Sequence, residues 1–221
     1  MRWLETPIHF IDFEGNLTSG ILEYGVITLR GGEIVEAHTR LCGAMGRIRS
    51  SDTAIHGLGP REVDGLAPFS TDFDRFARYR ETGPLGAHYA HAENTLIKSV
   101  WPYPRTAPDF ARPGATQTDW GPWIDTGRLL TQLFPSLPTG KLEDLVAAFG
   151  LSGLLDEQAA HCCPAGRRRF HAALYDALAA ALLLLALGNR PEFRDMTIPW
   201  LLQASTANPE KRAALQQREL F

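Results

Sequence analysis

The sequence predicts an α/β domain, and three observations carry that reading. Strand-length apolar segments follow one another at the N-terminus, the second and third separated by Gly31-Gly32, a strong two-residue hairpin signal. A run of small and apolar residues from Gly83 to Ala90 then passes into a helical pattern, as a short buried strand feeding a helix does. The second half carries apolar stripes at helical spacing and an alanine-rich segment, with no further alternating runs.

The first strand is Ile8-His9-Phe10-Ile11-Asp12-Phe13-Glu14-Gly15-Asn16. Side chains alternate along a strand, so Asp12 and Glu14 project from one face while Ile11 and Phe13 fill the other. A polar turn through Leu17 leads to the second strand, Ile21 to Arg30, and the hairpin returns the chain through Glu33 to Leu41. Pairing among these three is local and antiparallel. Residues 42 to 70 are irregular, with Ser50-Ser51-Asp52 as a cap before Thr53 to Gly57, and Pro60-Arg61-Glu62 opening a short helix. Ser70-Thr71-Asp72 caps a helix whose core stripe is Phe73, Phe76 and Ala77. Glu93 falls in the first turns of the helix after Ala90, near the positive end of its dipole.

Prolines and glycines mark Trp101 to Trp123 as a long surface loop. Regular structure resumes at Trp123, with Asp125 capping a helix through Leu129, Leu130 and Leu133. Leu142, Leu145, Val146 and Phe149 form the next stripe, closed by Gly150. A loop is expected from there through Cys162-Cys163-Pro164 and Arg167-Arg168-Arg169. The helix that follows is alanine-rich, so it can lie close against a sheet. Beyond Gly188 the prolines at 191, 199 and 209 break the chain into short pieces. The division expected is one main domain over 1–189 and a C-terminal extension over 190–221.

With 221 residues, 44% of them hydrophobic, the chain can bury one substantial core. A net charge of −3 argues against broad electrostatic wrapping of nucleic acid, though a protein gripping only a strand end needs few phosphate contacts. Three cysteines make no disulfide framework, and the first residues lack a signal-peptide apolar core, so a cytoplasmic protein is expected. The longest apolar run, Ala177 to Leu187, is too short to span a bilayer, and no membrane association is expected. His161-Cys162-Cys163 has poor spacing for tetrahedral zinc.

Asp12 and Glu14 admit two readings. A strand end open to water needs no partner for its acids. A buried pair does, because an uncompensated carboxylate is costly to keep ionised, and hard oxygens favour Mg²⁺ or Mn²⁺. Glu23, on the neighbouring strand, either joins that pair or lies solvated at an edge. His171 and Asp176 are five residues apart, roughly 140° around a continuous helix. Either His171 lies in the preceding loop, where it can swing over a centre that Asp176 helps to build, or it is no part of a site.

In chain order stand Asp-x-Glu at a strand end, His-x4-Glu at 88–93 and His-x4-Asp at 171–176. With Ile55-His56-Gly57, Ala67-Pro68-Phe69, Asp125-Thr126 and Lys141 to Leu145, this order resembles the DEDDh family of 3′-to-5′ exonucleases, the group that includes the proofreading subunit of bacterial replicative polymerases. The resemblance covers about residues 8 to 187. It implies a ribonuclease-H-like fold: a mixed five-stranded sheet, its first three strands antiparallel, flanked by helices, here with a short C-terminal helical extension.

It also implies that Asp12, Glu14, Asp176 and Glu93 hold two divalent cations, Mg²⁺ or Mn²⁺, with His171 as general base. Two such ions about 4 Å apart activate a water and stabilise the leaving oxygen of an in-line displacement. The chain departs from the pattern at Glu93, where the family usually has Asp, and at Gly15, where it often has Thr. Gly15 and Asn16 would meet the terminal nucleotide, the former through its backbone N–H. Leu17 or Ile21 would wedge beside the terminal base, or simply pack in the core. Arg167 and Arg168, with Arg169, either hold backbone phosphates or form a solvated cluster.

The expected activity is hydrolysis of the 3′ end of DNA, single-stranded or overhanging, to 5′-mononucleotides. An exoribonuclease is the alternative within the same chemistry, since only 2′-OH contacts differ. A nucleic-acid-binding module weakened by Glu93 and acting through its tail is the alternative outside it. Proofreading in trans, repair and overhang trimming are all compatible. The final residues Gln217-Arg218-Glu219-Leu220-Phe221 resemble the peptide with which bacterial replication and repair proteins dock onto the sliding clamp; Gln217, Leu220 and Phe221 would make that contact.

Overall fold

The computed structural model describes residues 1–206. Gln217, Leu220 and Phe221, and with them the expected clamp peptide, lie outside the described residues. Strands β1 (Ile8–Asn16), β2 (Gly20–Arg30) and β3 (Glu33–Leu41) pair antiparallel, and the last two turn at Gly31-Gly32 as the sequence predicts. β4 (Leu85–Ala87) adds parallel to β1. After a two-stranded ribbon of β5 (Ala107–Pro108) and β6 (Thr116–Gln117), β7 (Trp123–Asp125) adds parallel to β4. The order β3-β2-β1-β4-β7 is therefore a mixed five-stranded sheet with β1 at its centre.

Helices cover both faces. One side holds α3 (Phe73–Thr82) and α4 (His91–Val100), where Phe76, Leu96 and Ile97 pack with Ile11, Phe13, Tyr24 and Val26. The other holds α5 (Thr126–Leu133), α6 (Leu142–Ala148), α7 (Ser152–Cys162), α8 (Ala173–Gly188) and α9 (Ile198–Ala204), packed with Ile8, Phe10, Ile27 and Leu29. Each fully buried Leu, Ile or Phe contributes about 1.5–3 kcal/mol relative to leaving it exposed. Past the short helix α1 (Ser50–His56), Leu58 and Val63 of α2 (Pro60–Val63) close over Leu22 at the sheet's end.

α8 is the closest neighbour of the sheet. A Cβ on Gly25 would overlap the backbone of Ala173 and Leu174, so the bare glycine admits the first turn of α8 onto β2. Gly25 is paired with Asp12, and that contact sets α8 down beside the acids.

The structure corrects several local expectations. Residues 152–162 form α7 and not the expected loop; only Leu155 and Ala159 of it are buried, too narrow an apolar stripe to stand out. Asp72 does not cap α3 through its side chain; its carboxylate takes Arg40 instead. Ser50, Ser51 and Asp52 lie inside the first turn of α1, with Arg49 at the cap position. The segment 101–123 is largely exposed, as expected of a surface loop, but it is anchored in the core: Trp120 is fully buried and donates to the Trp101 carbonyl, and buried Arg80 binds the carbonyls of Arg105, Gln117 and Asp119. The short C-terminal helical element that the sequence predicts is present as α9, with Ile198 and Leu201 buried in the main core. Among the described residues, no helix is long and apolar enough to cross a membrane.

Candidate active site

The site lies where β1 runs out between the two helical layers. Asp12 and Glu14 come from β1, and a bulge between Glu14 and Gly15 shifts the register of its pairing with β2 there. Gly15 adopts φ +125°, and a Cβ would strike the Gly20 carbonyl, so this position requires glycine. Glu93 comes from the first turn of α4 on one layer and Asp176 from the first turn of α8 on the other. Within the second motif, Glu93 turns inward, while His91 is exposed and Asn94 accepts the Trp123 indole N–H at 3.0 Å.

Asp125 positions that helix. Its carboxylate takes the N–H groups of Tyr89 and Ala90, both at 3.1 Å, and that of Arg128 as the predicted α5 cap. It thereby fixes the turn from β4 into α4, where Tyr89 sits at φ 59°.

The four acids interact strongly. Burial first, and then the charges of Glu93, Asp176, Glu14 and Glu23, hold Asp12 well above the ordinary carboxylate range. Burial, followed by Asp176 and Glu23, pushes Glu14 up to about 8, against the opposing pull of Arg167 and Arg169. Asp176 is raised to about 7, again chiefly by burial, although the His171 N–H favours its ionised form. Glu93 is raised by burial, Glu14 and Asp176. Oε2 of Glu93 and Oδ1 of Asp176 are buried with no hydrogen-bond partner among the described residues. Clustered oxygen donors of this kind, costly to ionise alone and with unfilled lone pairs, fit hard divalent cations.

His171 lies in the loop ahead of α8, one residue before its N-cap, so the first of its two expected placements holds. Its φ is +62°, and its N–H donates to Asp176 Oδ2 at 3.0 Å. Glu14, His171 and Asp176 each offer a ligand atom within 4.8 Å of the others, a candidate metal cluster.

Glu23 is neither solvated nor free: it is 2% exposed, pairs with Arg167 through both oxygens, and accepts the Ala173 N–H at 3.1 Å. Arg168 binds the carbonyls of Ala160 and Cys163 at the end of α7. Asn16 spends its carbonyl on the Thr18 and Ser19 N–H groups and donates to Asp52, so it builds the turn that carries Leu17. Leu17 is 66% exposed, whereas Ile21 is core. His56 is buried, and burial, then Arg167, lowers its pKa. The buried Glu23–Arg167 pair had no sequence signal, because its partners stand 144 residues apart.

Solved structures share this architecture. Exonuclease X in complex with 5′-overhanging duplex DNA aligns over 88% of this chain and 99% of its own, at 21% identity and a TM-score of 0.61. E. coli exonuclease I in complex with a dT13 oligonucleotide aligns over 95% of this chain at 14% identity and a TM-score of 0.66. The chain has the fold of these exonucleases. It spans 46% of the exonuclease I chain. The nuclease domain of 3′hExo, a DEDDh family member bound to rAMP, aligns over 84% of this chain and 92% of its own, at 14% identity and a TM-score of 0.58. The likeness is to the exonuclease fold at large and not specifically to a polymerase proofreading subunit. No protein-family model and no curated protein matches the chain.

Proposed function

We propose that the chain is a metal-dependent 3′-to-5′ exonuclease that shortens the 3′ end of DNA, single-stranded or overhanging, to 5′-mononucleotides. One observation carries this reading: four acids from three remote segments meet at one strand end, with unfilled buried oxygens and a histidine clasped to one of them.

In this reading Asp12, Glu14, Asp176 and Glu93 hold two Mg²⁺ or Mn²⁺ ions. Such ions supply Lewis-acid stabilisation of the charge that builds on phosphate and leaving oxygen during in-line displacement. The chain's own residues do the rest. His171, exposed at the rim, accepts the proton of the attacking water as general base. The Asp176 carboxylate, through its bond to the His171 N–H, keeps that ring beside the acids. Gly15 brings bare backbone to the terminal nucleotide, and Leu17 lies against its base. Arg169 carries no hydrogen bond or ion pair to the described residues and lies over Gly57, so it is the arginine free to take a phosphate.

The test is a 5′-labelled DNA oligonucleotide incubated with Mg²⁺ or Mn²⁺. A ladder of labelled strands shortened stepwise from the 3′ end, abolished by Asp12→Ala, supports the reading and excludes a pure binding module. Absence of cleavage, or equal cleavage by Asp12→Ala, defeats it. A parallel RNA oligonucleotide decides the sugar.

A further inference from the structure

We infer that Arg167 is a positioning residue for His171, holding the loop that presents the imidazole and making no contact with substrate. The inference rests on the nuclease reading for its catalytic consequence only. Its structural content is independent of that reading.

A guanidinium has five N–H donors in a fixed plane. In Arg167, Nε donates to Glu23 Oε1 at 3.1 Å and Nη2 to Glu23 Oε2; Nη1 takes the His56 carbonyl, and Nη2 also reaches the His171 carbonyl at 3.3 Å. The side chain is 14% exposed and that of Glu23 3%. Four bonds to three different segments leave one N–H, so a phosphate would have to displace an existing partner. That disfavours the phosphate role open to Arg167 from the sequence.

What the bonds do is tie together β2, the end of α1 and the loop before α8. Glu23 also accepts the Ala173 N–H, so the same carboxylate anchors Arg167 and caps α8. His171 adopts a left-handed backbone, which costs a non-glycine residue about 1 kcal/mol and persists only where surroundings over-determine it. Both of its peptide groups are held: the N–H by Asp176 and the carbonyl by Arg167. Removing Arg167 frees one of them and leaves Glu23 buried without its cation, and the loop relaxes away from the acids.

The consequence is a split between binding and turnover. A general base contributes about 10²–10⁴-fold, and a displacement of ~1 Å can forfeit 10²-fold. Arg167→Met is expected to lower the single-turnover rate about 30- to 100-fold. Oligonucleotide affinity, read by anisotropy with Ca²⁺ in place of Mg²⁺, should stay within about twofold. Because Arg167 acts through His171, adding Arg167→Met to His171→Ala should cost nothing further, where independent roles would multiply. Amide exchange over residues 168–172 should quicken in Arg167→Met. If that variant does not fold, Arg167→Lys and Glu23→Gln carry the same test, since neither can reproduce the bidentate pair.

A weaker Kd with a salt dependence shallower by about one unit, at an unchanged rate, would return Arg167 to phosphate binding and overturn the inference. Multiplicative loss in the double variant would overturn it too. Should the wild-type chain prove inert on every oligonucleotide, the nuclease reading falls, while the exchange measurement still decides whether Arg167 holds the loop.

Discussion

Replacing Glu14 by Gln should stabilise the metal-free protein while abolishing its activity. In the fold this carboxyl is pushed from 4.5 up to about 8 by burial and its acidic neighbours. The folded chain therefore keeps the proton over a pH range in which the unfolded chain has released it. Stability is fully present below about pH 4.5 and is lost as pH rises through about 8, since the unfolded state binds fewer protons there. The gap of about 3.5 pH units corresponds to about 5 kcal/mol at pH 9. Gln carries no charge and keeps the shape, so metal-free Glu14→Gln should gain up to about that much at pH 9 and nothing at pH 4. For a chain of this size that is about 10 °C or more in Tm. The assay is denaturation in chelator at pH 4, 7 and 9, repeated with Mn²⁺, which should raise the wild type at pH 7 and 9 far more than the variant. A variant no more stable than wild type at pH 9, or a gap equal at pH 4 and pH 9, would refute the premise that these acids are held together against their own repulsion.

Three further outcomes are expected. Gly25→Ala drives a methyl into the backbone of Leu174 and should cost about 3 kcal/mol by urea denaturation, with a fall in activity among folded molecules as α8 and Asp176 shift outward. Arg169→Ala should weaken oligonucleotide binding and make its salt dependence shallower by about one unit at unchanged stability, which anisotropy at several salt concentrations would check. Deleting Leu220 and Phe221 should abolish capture by an immobilised bacterial sliding clamp without altering mononucleotide release, and unchanged capture would remove the docking proposal.

Much of the fold was legible because its signals are local. The bounds of β1 and β3 follow from apolar alternation and a Gly-Gly turn, and Asp125 caps α5 where the sequence puts it. Caps were misread where a distant partner outbid the backbone. Asp72 lies where a cap belongs, yet Arg40, from β3, takes its carboxylate. α7 has no such local signal, because only Leu155 and Ala159 of it are buried, and nothing local in the exposed segment 101–123 reveals that Trp120 is inserted in the core.

The sequence by itself determined which chemistry was available: two acids alternating on one strand, a third at a helix start, and a histidine five residues before a fourth. Only the tertiary structure decided that they meet. Asp176 arrives beside Asp12 because Gly25 lets α8 touch the sheet, and His171 faces the acids because its peptide groups are held by Asp176 and Arg167. Tertiary structure likewise decided that Glu23 and Arg167 spend their charges on each other. Strand and helix periodicity follow from bonds between near neighbours along the chain. An ion pair spanning 144 residues forms only after the sheet and its helices have packed, and no pattern of adjacent residues encodes it.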